Sequence, residues 1–206
     1  CEFAYYFNSF GANVELVEMQ KRILPMEDSE ISAALKDSFT SSGIKIHNNS
    51  KVKSIDKLKT KIKVNVVTQG GSLQIDGNIA LLAIGVEGNI NNIGLKGAGV
   101  KSENGSISIN NHCQTNIPNI YAIGDVAGPP WLAHKASAQG HMVADLICGT
   151  SVHEVDYFNI PNCTYCQPQV ASLGLTESKA KDLGHNIKVG KFFFRASGKA
   201  MAIGNT

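Results

Sequence analysis

The sequence predicts an α/β fold built around a parallel sheet with crossover helices. Helix-period and strand-like stretches alternate from the first residue, and the links between them are short. One later run, 79–84, is apolar at every position, as a strand buried on both faces requires.

Each element follows from its own residues. In CEFAYYFNSFG, Phe3, Phe7 and Phe10 recur at helical spacing, and Gly11 closes the helix. Residues 13–18 form a short apolar strand ending in Glu18. A helix suits 29–42, where Ile31, Leu35 and Phe39 recur every four residues between the caps Asp28 and Ser29 and the stop Gly43. Residues 44–47 are the next strand. Then 61–67 alternates, with Ile62, Val64 and Val66 on one face, and Gly70-Gly71 turns the chain into 72–76 as an exposed antiparallel excursion. Residues 79–84 return to the sheet as a central strand ending at Gly85, and glycine-rich chain to about 105 crosses between domains. A strand at 117–125 and a helix at 134–148 form another unit, and a strand at 170–175, a helix at 177–183 and a strand at 189–194 begin a third.

A 43% hydrophobic and 17% charged composition is that of a packed chain rather than a disordered one. The net charge of +2 and the lack of a basic stripe argue against nucleic acid. No apolar run approaches the roughly 20 residues that span a bilayer. Five cysteines, an odd and irregularly spaced set, do not make a secreted disulfide framework. Cys163-Thr164-Tyr165-Cys166 has redox spacing but runs into Gln167-Pro168 and a strand, not into a helix that would lower a thiol pKa. A zinc site would need a second ligand pair, so these cysteines read as structural and no metal is expected.

Two acids carry the chemistry. Glu18 stands where dinucleotide-binding folds place the acid that accepts hydrogen bonds from the adenosine ribose, with the preceding helix as the one that faces the pyrophosphate. A solvated surface glutamate is the plain alternative. Asp125 ends the apolar run Ile120-Tyr121-Ala122-Ile123-Gly124, where a glycine admits a ligand to the backbone and a carboxylate can bind a sugar-like hydroxyl. Its plain alternative is a turn cap.

Thr115 followed by Ile120-Tyr121-Ala122-Ile123-Gly124-Asp125 resembles the second FAD-binding motif of the pyridine nucleotide–disulfide oxidoreductases. Trp131-Leu132-Ala133-His134-Lys135-Ala136 is similar to the branch of that family that oxidises dihydrolipoamide, and Ile160-Pro161 with 168–174 resembles the start of its interface domain. The resemblance implies a Rossmann-like NAD domain at 1–83, the C-terminal part of an FAD domain at 84–152, and the start of an α+β interface (dimerisation) domain at 153–206. It places Glu2 near the nicotinamide, Glu18 on the ribose, Val52 on the adenine and Gly85 beside the NAD. Asp125 falls on the FAD ribityl chain. Trp131, Leu132, Ala133 and His134 pass under the flavin at a helix start, where amides and dipole favour negative charge. His134 is thus a flavin-loop residue rather than a general base.

The family implies electron transfer from dihydrolipoamide through an active-site disulfide and FAD to NAD, in a homodimer serving 2-oxo acid dehydrogenase complexes. A cytoplasmic setting is expected ahead of the mitochondrial matrix. The chain reads as an internal fragment, inactive alone and weak in FAD retention. The redox cysteines, the first strand and the glycine loop are expected before Cys1, and a His–Glu base after Thr206. Gly85-Val86-Glu87-Gly88-Asn89 lacks the Arg-Arg-Pro that often follows this glycine in the family. The rivals are a glutathione or mercuric ion reductase and a non-catalytic dinucleotide-binding module.

Overall fold

The computed structural model describes residues 1–204 and 206. Helix α1, Glu2–Ser9, turns its small residue inward: Ala4 is buried, while Phe3, Phe7 and Phe10 on the other side stay 57%, 41% and 77% exposed. The aromatics instead contact one another, with Phe3 on Phe7 and Tyr6 against Phe7 and Phe10. Strand β1, Glu15–Val17, pairs in parallel with β2, Lys45–His47, in the register Glu15↔Lys45, Leu16↔Ile46 and Val17↔His47. Between them, α2, Ser29–Ser41, is the crossover helix.

Strands β3, Lys51–Lys57, β4, Ile62–Thr68, and β5, Gly71–Gly77, form an antiparallel sheet in that order. The excursion therefore has three strands where the alternation marked two. Every residue of β3 is exposed, so its residues carry no buried-face pattern to read. The hairpin also gathers Lys51, Lys53, Lys57, Lys59, Lys61 and Lys63, which the overall charge had concealed.

The run 79–84 departs from expectation. It forms no strand, and Ile79, Leu82 and Ile84 are 84%, 68% and 93% exposed. A parallel strand exists only through ladder partners on its flanks, and among the described residues β1 and β2 pair with each other alone.

Residues Leu82–Asn162 form a compact unit of their own. Here the chain builds a short helix α3, Leu95–Ala98, and a hairpin of β6, Ser102–Glu103, and β7, Ser106–Ile107, in a stretch that reads as irregular in sequence. The expected strand at 117–125 is reduced to one bridge, Gln114↔Tyr121, followed by a 3-10 turn at Gly124–Ala127. Helix α4, Ala133–Ile147, completes the unit. One core cluster joins Val100, Ile107 and Ala122, and another joins Cys113, Met142 and Val143.

The last segment, Cys163–Thr206, belongs with Cys1–Leu81 in the other unit. Strands β8, Asn162–Thr164, and β9, Val170–Ser172, pair with each other, and helices α5, Glu177–Asp182, and α6, Gly198–Ala202, follow. No strand forms at 189–194, where Phe192, Phe193 and Phe194 are largely exposed. Cys166 and Val170 enter the main core with Ala4, Ile23, Leu35, Phe39 and Ile44. Hydrogen bonds tie the segment down, among them Ser172 to Glu27 Oε1, the Glu177 amide to Asp28 Oδ1, Lys191 to Glu30 and the Tyr165 amide to Glu2 Oε1.

Across the parallel pair, Glu15 accepts from His47 at 2.9 Å and from Lys45 at 3.0 Å. The His47 hydrogen bond above all, and then Lys45, hold the Glu15 carboxyl below its ordinary range against the opposing effect of burial. A lowered folded pKa stabilises above the unfolded value, near 4.3, and that contribution vanishes as pH falls through the folded value. Urea unfolding of wild type and Glu15→Gln should thus differ at about pH 6 and converge towards about pH 3.

Candidate functional site

In the unit containing Cys1–Leu81, the parallel ladder delivers Glu18 to the end of β1. Its amide donates to the His47 carbonyl at 2.9 Å, and its own carbonyl accepts from the Ser50 amide at 2.9 Å. Its carboxylate accepts from the Gln20 amide at 2.6 Å through Oε1, and the side chain is half-buried. Glu18 is therefore fixed by backbone bonds between the end of β2 and the start of β3. Val52 follows two residues after Ser50 in β3 and is 38% exposed.

Glu2 lies in the first turn of α1, and its Oε1 accepts from the Tyr165 amide at 2.7 Å. Gly85 belongs to the other unit, in exposed chain with φ +122°.

Cys166 is 3% exposed, with Sγ donating to the Pro168 carbonyl at 3.2 Å. Burial pushes its thiol pKa up, the opposite of a redox-active thiolate. Cys163 and Cys166 carry free thiols, and among the described residues no cluster of His, Cys, Asp and Glu could hold a metal.

In the Leu82–Asn162 unit, Ile123 is extended and the chain then bends sharply. Gly124 has φ +73°, and a Cβ there would stand 3.3 Å from the Ala136 Cβ, so glycine serves both the bend and the packing. Asp125 is exposed in the 3-10 turn that follows. The chain passes through Pro129, Pro130 and Trp131 to Leu132, the N-cap of α4, whose side chain offers no capping hydrogen bond. The leading amides of α4 therefore have no acceptor within the helix. Trp131 is 40% exposed, Leu132 is half-buried and Ala133 is exposed. His134 donates from Nε2 to the Pro161 carbonyl at 2.8 Å. A cleft of about 520 Å³ opens here, with Ser106, Ile107, Ala127, Gly128 and Trp131 among its walls.

Sequence reasoning overlooked what holds this turn. Lys135 Nζ donates to the carbonyls of Gly124 at 2.9 Å and Gly128 at 2.6 Å, and Gln139 Oε1 accepts from the Gly124 amide at 2.8 Å. Both side chains are 1% exposed. The available signal was two long polar residues four apart on one helix face, just after a Gly-Asp turn. Burial lowers the Lys135 pKa, and Asp125 and Cys113 oppose it.

Residues 1–140 match the model of the family described as pyridine nucleotide-disulphide oxidoreductase, and residues 160–206 match its dimerisation domain. The dihydrolipoyl dehydrogenase of Rhizobium etli is 46% identical over 205 residues, covering 98% of this chain and 43% of the relative. That of Zymomonas mobilis is 44% identical, covering 100% of this chain and 44% of the relative. The chain thus spans less than half the length of the relatives it matches. Among solved structures, LpdA from Mycobacterium tuberculosis superposes with a TM-score of 0.89 at 24% identity, over 98% of this chain and 44% of the other. The flavoprotein disulfide reductase RclA from Escherichia coli gives 0.89 at 24% identity over 99% and 46%, and both likenesses show the fold. Among the described residues, no helix is long and apolar enough to cross a membrane. With the family model matched across both compact units, the chain belongs to the pyridine nucleotide-disulphide oxidoreductases.

Proposed function

We propose that this chain is the nucleotide- and flavin-holding portion of a dihydrolipoyl dehydrogenase, which oxidises dihydrolipoamide and reduces NAD. The family works with FAD and NAD, the flavin relaying an electron pair between a disulfide and the nicotinamide. The observation that carries the reading is the braced Gly124–Asp125 turn directly before the uncapped start of α4. An exposed carboxylate suits a sugar-alcohol hydroxyl, and free helix amides suit a group that gains negative charge on reduction.

On this reading Asp125 holds the ribityl chain, and Trp131, Leu132, Ala133 and His134 line the flavin. The Nε2–H bond to the Pro161 carbonyl orients the His134 ring. Glu18 accepts from the ribose, Val52 packs on the adenine and Glu2 approaches the nicotinamide, while Gly85 is the glycine beside the NAD. The domains then run 1–83, 84–152 and 153–206. The match of 160–206 to a dimerisation domain supports a homodimer, and the reading is completed by service to 2-oxo acid dehydrogenase complexes in the cytoplasm.

Protein expressed from the complete gene should turn over dihydrolipoamide with NAD and carry FAD in stoichiometric amount. Activity confined to glutathione or mercuric ion with NADPH would overturn the assignment. Glu18 favours NAD because its charge repels a 2′-phosphate.

A further inference from the structure

We infer that Lys135 is a positioning residue for the flavin-facing turn. Its ammonium, buried between the two carbonyls that open and close Gly124–Gly128, sets the place of Asp125 and of the first amides of α4. The inference rests on the flavin reading above.

A lysine that is 1% exposed is unusual, because taking an ammonium out of water costs several kcal/mol unless its donors are satisfied. Here the acceptors are not a carboxylate but two backbone carbonyls four residues apart, one at each end of the turn. Gly124 is held on both sides by α4, its carbonyl by Lys135 and its amide by Gln139 one helical turn further on. Gln139 is itself anchored, donating from Nε2 to the Tyr157 hydroxyl at 2.9 Å.

The turn is held from within by backbone bonds alone, such as Gly128 N–H to the Asp125 carbonyl at 3.1 Å, because Gly124, Val126, Ala127 and Gly128 carry no polar side chain. Two buried polar side chains are thus committed to backbone atoms, while Asp125, the turn's lone polar side chain, remains exposed. A space-filling role would be met by methionine, which lacks the donors. What the ammonium adds is a defined separation between the two carbonyls, and so a defined direction for the carboxylate between them.

The experiment uses protein from the complete gene, compared as wild type, Lys135→Met, Asp125→Asn and the double variant. Deuterium uptake over 122–130 is measured without FAD, and FAD affinity is measured by flavin fluorescence. Lys135→Met should speed exchange in that peptide about tenfold, leave the Met142–Val143 region protected, and weaken FAD at least about tenfold, since each lost charge-assisted hydrogen bond is worth that much or more. The double variant should lose much less than the product of the two single losses, because Lys135 acts through Asp125. Unchanged exchange, unchanged FAD affinity, or losses that simply multiply would each overturn the inference. If Lys135→Met does not fold, Gln139→Leu takes its place, and unchanged FAD affinity in that variant overturns it equally. Wild type that takes up no FAD overturns the flavin reading itself, before any variant is compared.

Discussion

Phe39→Ala should lower the unfolding free energy of the unit that contains it by about 3–5 kcal/mol. Phe39 is 1% exposed and stands one helical turn beyond Leu35, which is equally buried, on the inner face of α2. After Gly43 the chain folds back so that the Ile44 amide donates to the Phe39 carbonyl at 3.0 Å, which brings the buried Ile44 side chain into the same cluster. Ala4, Ile23, Cys166 and Val170 close the remaining sides. Removing the ring leaves a cavity bounded by segments far apart in sequence, and such walls collapse only partly. Urea denaturation followed by far-UV circular dichroism measures the loss. Ile31→Ala on the same helix is the control: that side chain is 45% exposed, so its effect should stay within about 0.5 kcal/mol. A Phe39→Ala loss as small as the control's would mean that this core is not the one that holds the unit together.

Glu18→Ala should weaken NAD by about tenfold or more and raise the preference for NADP relative to NAD by a larger factor, the loss of repulsion adding to the loss of hydrogen bonds. The backbone bonds of Glu18 to His47 and Ser50 do not involve its side chain, so β1, β2 and β3 should keep their arrangement. The one local casualty is the Gln20 amide, which loses its acceptor. Glu18→Gln separates the two effects: it retains an acceptor for Gln20 and removes the charge. Its NADP preference should rise while its NAD affinity falls less than in the alanine variant. Steady-state kinetics with each nucleotide, on protein from the complete gene, give both ratios. An unaltered NAD-to-NADP ratio in both variants would remove Glu18 from the nucleotide site.

Some elements could be read from sequence because their causes are local. Helix α2 carries its own cap, periodicity and stop within about fifteen residues, and it runs Ser29–Ser41 against an expected 29–42. Helix α4, Ala133–Ile147, stands equally close to the expected 134–148. Two short apolar runs joined by a helix are enough to specify the parallel pair of β1 and β2, since a crossover of that length admits little else. The bend at Gly124-Asp125 was legible because a glycine closing an apolar run readily takes the positive φ that the turn needs.

What local pattern could not decide is which surface each element meets. The phenylalanine face of α1 looks like a core face, yet Ala4 points to the core, because the tight approach of Cys166 and its neighbours needs a small residue there. The run 79–84 has a strand's composition but, without a ladder partner, no strand. The pairing of Glu2 with the Tyr165 amide spans most of the chain, and no periodicity announces such a bond. Lys135 is the sharpest case. A lysine in a helix reads as a solvated charge, and only the arrival of two carbonyls from a preceding turn makes its burial tolerable. The sequence by itself determined the family and the helices α2 and α4, since these depend on residues within a turn or two of one another. The tertiary structure decided burial, strand pairing and the bracing of the turn, because each depends on a partner group that local sequence does not specify.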